Sequence, residues 1–175
     1  MWRLIILLAA AALLPQAGCK RKVHPRATAT DESFGELATM VHTADPKAEP
    51  QLLRGFYPVE GAAWRWTKQK FAVSLRTPMN AGAAGAKLEM RFAVPDPVIK
   101  NLKSVTLAVS VNGQPLPSQR FDKAGEAVYE AAVPAALLKV PAVTVDFALD
   151  KALPAGTVDA RELGVVVASI GFAAQ

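Results

Sequence analysis

From Phe71 onward the chain alternates apolar and polar residues with a period of two, and this pattern restricts it to strands that bury one face. Phe71, Val73 and Leu75 alternate with Ala72 and Ser74. Leu88, Met90, Phe92 and Val94 alternate with Glu89, Arg91 and Ala93, and Val105, Leu107, Val109 and Val111 with Thr106, Ala108 and Ser110. A helix would scatter these apolar residues around its circumference, whereas a strand gathers them on one side. Val128 to Val133 forms a further strand, and Val143, Val145, Phe147 and Leu149 form the next, with Thr144, Asp146 and Asp150 outward. Leu163 to Phe172 is apolar on both faces at Val165-Val166-Val167, which suits a strand that lies centrally or under another element.

Turn signals divide these runs. Asn112-Gly113 follows its strand directly, and both residues accept the positive φ of a type I′ hairpin turn. Gln114-Pro115-Leu116-Pro117 then permits only an edge or irregular return, because proline cannot donate to a ladder. Met79-Asn80-Ala81-Gly82, Pro95-Asp96-Pro97, Lys123-Ala124-Gly125 and Leu153-Pro154-Ala155-Gly156 read as the other turns, and Ala135 to Lys139 as one helical turn. Long amphipathic helices do not alternate with the strands, which disfavours an α/β fold. The expected fold is all-β: an antiparallel β-sandwich, jelly-roll-like, with about seven or eight strands over residues 51–175.

The N-terminus is of another kind. Met1 to Gly18 reads as a secretory signal peptide, with Arg3 as the positive region and Leu4 to Leu14 as the apolar run. That run is too short for a bilayer of ~30 Å, which needs about 20 apolar residues. Cys19 is the only cysteine, so no internal disulfide can form. Ala17-Gly18-Cys19 resembles the lipobox of bacterial lipoproteins, although Gln16 stands where that family usually has Leu. The resemblance implies lipidation of Cys19 and a membrane anchor there; the bland alternative is an ordinary cleaved signal. Lys20 replaces the aspartate associated with inner-membrane retention in enteric lipoproteins, so the resemblance points to the cell envelope and to the outer membrane. Residues 19–50 read as a flexible tether. Its basic Lys20, Arg21, Lys22 and Arg26 suit anionic headgroups. Phe34, Leu37, Ala38 and Val41 share one helical face behind a Ser33–Glu36 capping box, so a short helix is expected over 33–42.

Gly55-Phe56-Tyr57-Pro58-Val59-Glu60 leads into Trp64-Arg65-Trp66-Thr67, and Asp159-Ala160-Arg161-Glu162-Leu163-Gly164 stands before the last strand. Together the two motifs resemble the opening and close of a β-sandwich domain found in bacterial envelope-polysaccharide proteins, often appended to glycosyltransferases. The resemblance covers residues 52–173 and implies a glycan-related role. Tyr57, Glu60, Trp64, Arg65 and Trp66 are the candidate binding residues. In the triplet both indoles point to one side of the strand and the guanidinium to the other. The indoles either stack on the C–H faces of sugar rings or belong to the core. Glu60, Arg65, Asp159 and Arg161 either hold ligand hydroxyls or pair with one another; an Arg161 forked onto a carboxylate would make Asp159 and Arg161 a clasp for the final strand. Leu163 is expected in the core, and Gly164 at a close backbone approach.

Several function classes find no support. From residue 51 on there are 14 Lys/Arg and 10 Asp/Glu, too balanced for a surface that tracks nucleic-acid phosphates. There is no Gly-x-Ser-x-Gly elbow, no phosphate loop and no His or Cys cluster for a metal. His24 and His42 both precede the strands. Glu60 and Asp159 remain the one carboxylate pair of glycosidase type. The expectation is a non-enzymatic lipoprotein without cofactor, whose partner is an envelope glycan or an envelope protein met through a sheet edge or the tether helix.

Overall fold

A computed structural model of the chain describes residues 37–173. Cys19, the expected signal peptide and the basic part of the expected tether therefore lie outside the described residues. The strands are β1 (Met40–His42), β2 (Leu52–Glu60), β3 (Trp64–Arg76), β4 (Ala86–Val94), β5 (Val105–Val111), β6 (Gln114–Pro115), β7 (Gln119–Phe121), β8 (Gly125–Val133), β9 (Ala142–Leu149) and β10 (Val166–Ala173). Every pairing among them is antiparallel. The hydrogen-bonded order is β6-β5-β9-β3-β10-β4-β8, with β1 on β10, β2 on β3 and β7 on β5.

β3 turns this order into a sandwich. Its first residues, Arg65 and Trp66, pair with β10, while Lys70 to Arg76 pair with β9. One long strand thus belongs to both layers, and the curled sheet closes on a single core. β4, β5 and β9 bury every second residue, as their alternation requires. Phe71 and Phe147 stack at 4.8 Å between ring centroids, and Phe56 meets Phe71 edge-on at 5.4 Å. Each such apolar side chain contributes about 1.5–3 kcal/mol on full burial. β10 lies between β4 on one side and β3 with β1 on the other, the central place its two apolar faces demand. A bulge at Ala168 shifts its register, so that Val167 and Ile170 both face the core.

Local expectations hold at several points. Asn112 and Gly113 have φ of 48° and 80°, and β6 is only two residues long. A 3-10 turn covers Ala135–Leu138. Leu163 is buried, and a Cβ on Gly164 would stand 2.7 Å from the Lys68 carbonyl oxygen. At Pro95-Asp96-Pro97, where only a turn is expected, a helix runs over Asp96–Leu102. Pro97 suits its first turn, where the missing N–H has no intrahelical partner anyway, and Val98 buries.

The lead-in to the sandwich differs from expectation. Residues 40–42, expected in a short helix over 33–42, form β1 instead; the part of that helix over 33–36 lies outside the described residues. β3 leaves β10 after its first residues, and β1 fills the vacated edge, pairing Met40, Val41 and His42 with Gly171, Ile170 and Ser169. An unpaired edge of β10 offers more hydrogen bonds than a marginal helix can, and Val41 is buried in the bargain. The Gln51 amide completes the attachment: it accepts from Ala38 N at 2.9 Å and donates to Ala38 O at 3.0 Å and Ser74 O at 2.7 Å. The sheet therefore takes in residues before 51, the expected boundary, and His42 is a sheet residue.

Candidate functional site

The β2–β3 hairpin sets the site. Glu60 pairs with Trp64 across a three-residue loop, closed by Ala63 N donating to Glu60 O at 3.3 Å. Gly61 and Ala62 take φ of 59° and 53°, a left-handed pair that turns the chain back tightly. A Cβ on Gly61 would meet the Trp64 six-membered ring at 2.8 Å, so the glycine leaves room for the indole to lie against the turn. Trp64 and Trp66 point outward on the same face. Trp64 is 40% exposed, whereas Trp66 is half-buried and packs against the core.

The same outward face continues across three further strands. Trp66 is opposite Val166, Val166 is opposite Ala93, and Ala93 is opposite Glu126; in the next row Arg91 is opposite Val128. These residues, with Trp64, Glu60, Ala168 and Asp96, line a groove of about 830 Å³. Its floor is apolar: Val128 is exposed, and Val166 and Ala93 are half-buried. Its rim is polar, with Glu60 beside Trp64, Arg91 on β4, and Asp96 and Glu126 where β4 ends and β8 begins. Arg91 Nε also donates to Glu89 Oε1 at 2.6 Å.

Arg65 is not part of this face. It lies 8% exposed on the opposite side of β3 and donates from Nε to Thr43 O at 2.7 Å, from Nη1 to Tyr57 O at 3.3 Å and from Nη2 to Glu49 Oε2 at 2.5 Å. Its expected place among ligand-facing residues is corrected: strand alternation turns it inward, where it fastens the lead-in segment to β3.

Glu60, Asp159 and Arg161 come together, so the mutual pairing forms, with Glu60 also at the edge of the groove. Arg161 Nη1 donates to Glu60 Oε1 at 2.7 Å, Nη2 to Asp159 Oδ2 at 3.0 Å and Nε to Asp159 Oδ1 at 3.0 Å. The guanidinium lies 4.9 Å from the centre of the Tyr57 ring, a cation–π contact. The hairpin and the loop before β10 are thereby joined. Burial, then the Glu162 carboxylate, raise the pKa of the Tyr57 hydroxyl.

Hydrogen bonds from Arg161 hold Asp159 at a pKa of about 2, below the ordinary 3.8. A depressed carboxylate stabilises the fold above its unfolded pKa, and that stabilisation is lost as pH falls through the folded one. The loop around Asp159 is therefore expected to loosen between about pH 4 and about pH 2. Carbon-detected NMR titration should place the Asp159 midpoint near 2 and, in Arg161→Met, near the ordinary value; equal midpoints in the two proteins would refute the clasp.

Arg91, Asp96, Glu126, Val128 and Val166 were not among the residues singled out from sequence. Alternation marks Arg91 as outward-facing, but only the order β3-β10-β4-β8 puts these residues in one groove with the indoles.

No family model matches the chain, and no curated protein matches its sequence. Among solved structures the chain is similar to a family GH115 4-O-methyl-α-glucuronidase with specificity for decorated arabinogalactans, at a TM-score of 0.50 and 10% identity over 78% of this chain and 17% of that one. It is also similar to a family 35 carbohydrate-binding module from Clostridium thermocellum, at a TM-score of 0.46 and 11% identity over 77% of this chain and 98% of that one. An exo-β-1,3-galactanase from Phanerochaete chrysosporium matches at a TM-score of 0.43 and 12% identity, over 78% of this chain and 29% of that one. The chain thus spans less than a third of either enzyme. At 10% identity the likeness to the glucuronidase speaks for architecture alone, and by that architecture the chain is an antiparallel β-sandwich.

Proposed function

We propose that this protein is a non-catalytic, lipid-anchored binding protein whose groove holds a cell-envelope glycan. The observation that carries the reading is the outward indole of Trp64, set with Trp66 over an apolar floor and a polar rim. Sugar rings present apolar C–H faces to such indoles, and their hydroxyls suit the rim groups Glu60, Arg91, Asp96 and Glu126. The carboxylate pair of glycosidase type does not favour catalysis. Both carboxylates are bound to one guanidinium, that of Arg161, whereas a glycosidase pair must face each other across the scissile bond.

Trp64→Ala is expected to weaken binding to envelope polysaccharide by about 30-fold, the loss of a contact worth about 2 kcal/mol. Its unfolding midpoint should change little, because the indole is already 40% exposed. Calorimetric titration checks the first and urea unfolding the second; a variant that binds as tightly as the wild type would overturn the reading.

The anchor is proposed at Cys19, behind Ala17-Gly18, with the protein held at the envelope and, by Lys20, at the outer membrane. Two or three acyl chains there would hold firmly, at ~0.8 kcal/mol per buried methylene. A fatty-acid probe fed to cells should label the wild type and not Cys19→Ser; an unlabelled wild type would sink this part.

A second reading, an assembly lipoprotein that contacts envelope proteins, draws on β8. Among the described strands it pairs with β4 alone, leaving a nine-residue edge open to strand addition. The route through a tether helix loses residues 40–42 to the sheet.

A further inference from the structure

The groove is acidic in a domain that is basic. Glu60, Asp96 and Glu126 line it against the single guanidinium of Arg91, although residues 51–175 carry 14 Lys/Arg and 10 Asp/Glu. Two of these charges are already answered: Glu60 by Arg161, and Arg91 by Glu89. Asp96 and Glu126 are exposed and make no ion pair among the described residues. They stand at one end of the groove, where β4 hands over to the helix Asp96–Leu102 and β8 begins. Trp66 stands at the other end, three strand spacings or about 14 Å from Glu126 and two spacings from β4, whose end leads into Asp96.

We propose that the groove selects a cationic glycan, a chain of amino sugars with free amines, over neutral or uronic-acid chains. The assignment rests on the glycan reading of the same groove and adds the sign of the ligand's charge. Stacking on the indoles is indifferent to whether an amine is acetylated, but the far end is not. A free ammonium meets Asp96 or Glu126, a cation opposite an unanswered carboxylate. An acetylated amine meets neither charge. A uronate brings a like charge to a site that has two unanswered carboxylates.

The test uses the full chain and three oligosaccharide probes of equal length: a glucosamine oligomer, its fully N-acetylated form and an oligogalacturonate. Below the amine pKa, the glucosamine oligomer should bind about 10-fold more tightly than the acetylated one, the scale of two partly exposed charge pairs. That preference should shrink as salt rises from 0.05 to 0.5 M. The double variant Asp96→Asn, Glu126→Gln should erase the preference, so that the free and acetylated oligomers bind alike, and Trp64→Ala should weaken both. Equal binding of the free and acetylated oligomers, or tighter binding of the uronate, overturns the cationic assignment and leaves the glycan reading standing. Failure to bind all three probes and envelope polysaccharide overturns both.

Discussion

Gly55→Ala is expected to destabilise the fold by more than about 3 kcal/mol, the sum of a dihedral penalty and a clash. Gly55 has φ of +78°, where an L side chain costs about 1–2 kcal/mol. The larger part comes from contact: an added Cβ would stand 2.1 Å from the Lys70 carbonyl oxygen and 2.7 Å from Phe71 Cα. These are backbone atoms in the centre of β3 and cannot swing aside. Relief requires β2 to move off β3 or Phe71 to leave its stack on Phe147. Gly113→Ala is the internal control, since it shares a φ of +80° but has open space where the Cβ would go. It should lose only the dihedral share. Urea unfolding of both variants separates the two contributions, and equal losses would show that the close approach of β2 to β3 contributes nothing.

Arg65→Met should cost about 2–4 kcal/mol, with its local effect at the lead-in segment. The guanidinium is buried and serves Thr43 O, Tyr57 O and Glu49 together. Methionine fills much of the space but donates nothing, so two backbone carbonyls lose a charged donor. Glu49→Gln is the milder change: its side chain is 66% exposed and glutamine keeps an acceptor for Arg65. Hydrogen exchange should show the amides of β1 and Thr43 opening in Arg65→Met well before those of β4 and β9. Undiminished protection of β1 would mean that Arg65 does not hold the segment. The adjacent residue gives the opposite pattern, since Trp64→Ala is expected to alter binding and spare stability. Neighbouring positions on one strand thus separate the fold from the site.

The candidate site was half legible. Glu60, Trp64 and Trp66 stood out because aromatic and acidic residues fall close together in sequence, and strand alternation already set Arg65 on the opposite side. The pairing of Glu60 and Asp159 through Arg161 was one of two open readings, as it joins segments about a hundred positions apart. Asp96 and Glu126 carried no local sign of a shared groove. Their strands meet only through the β4–β8 ladder, so nothing near either residue reveals the other.

Local patterning by itself determined the all-β class, the inward faces of β4, β5, β9 and the second half of β3, the Asn112-Gly113 turn and the central place of β10. These follow from alternation and backbone chemistry within a few residues, which any compact arrangement must satisfy. The tertiary structure alone decided that residues 40–42 are a strand, that β3 serves both layers, and which outward side chains share a groove with Trp64 and Trp66. Each depends on hydrogen bonds between segments far apart in the chain. β1 forms because β10 has a free edge once β3 departs, a condition that exists only after the sandwich has closed.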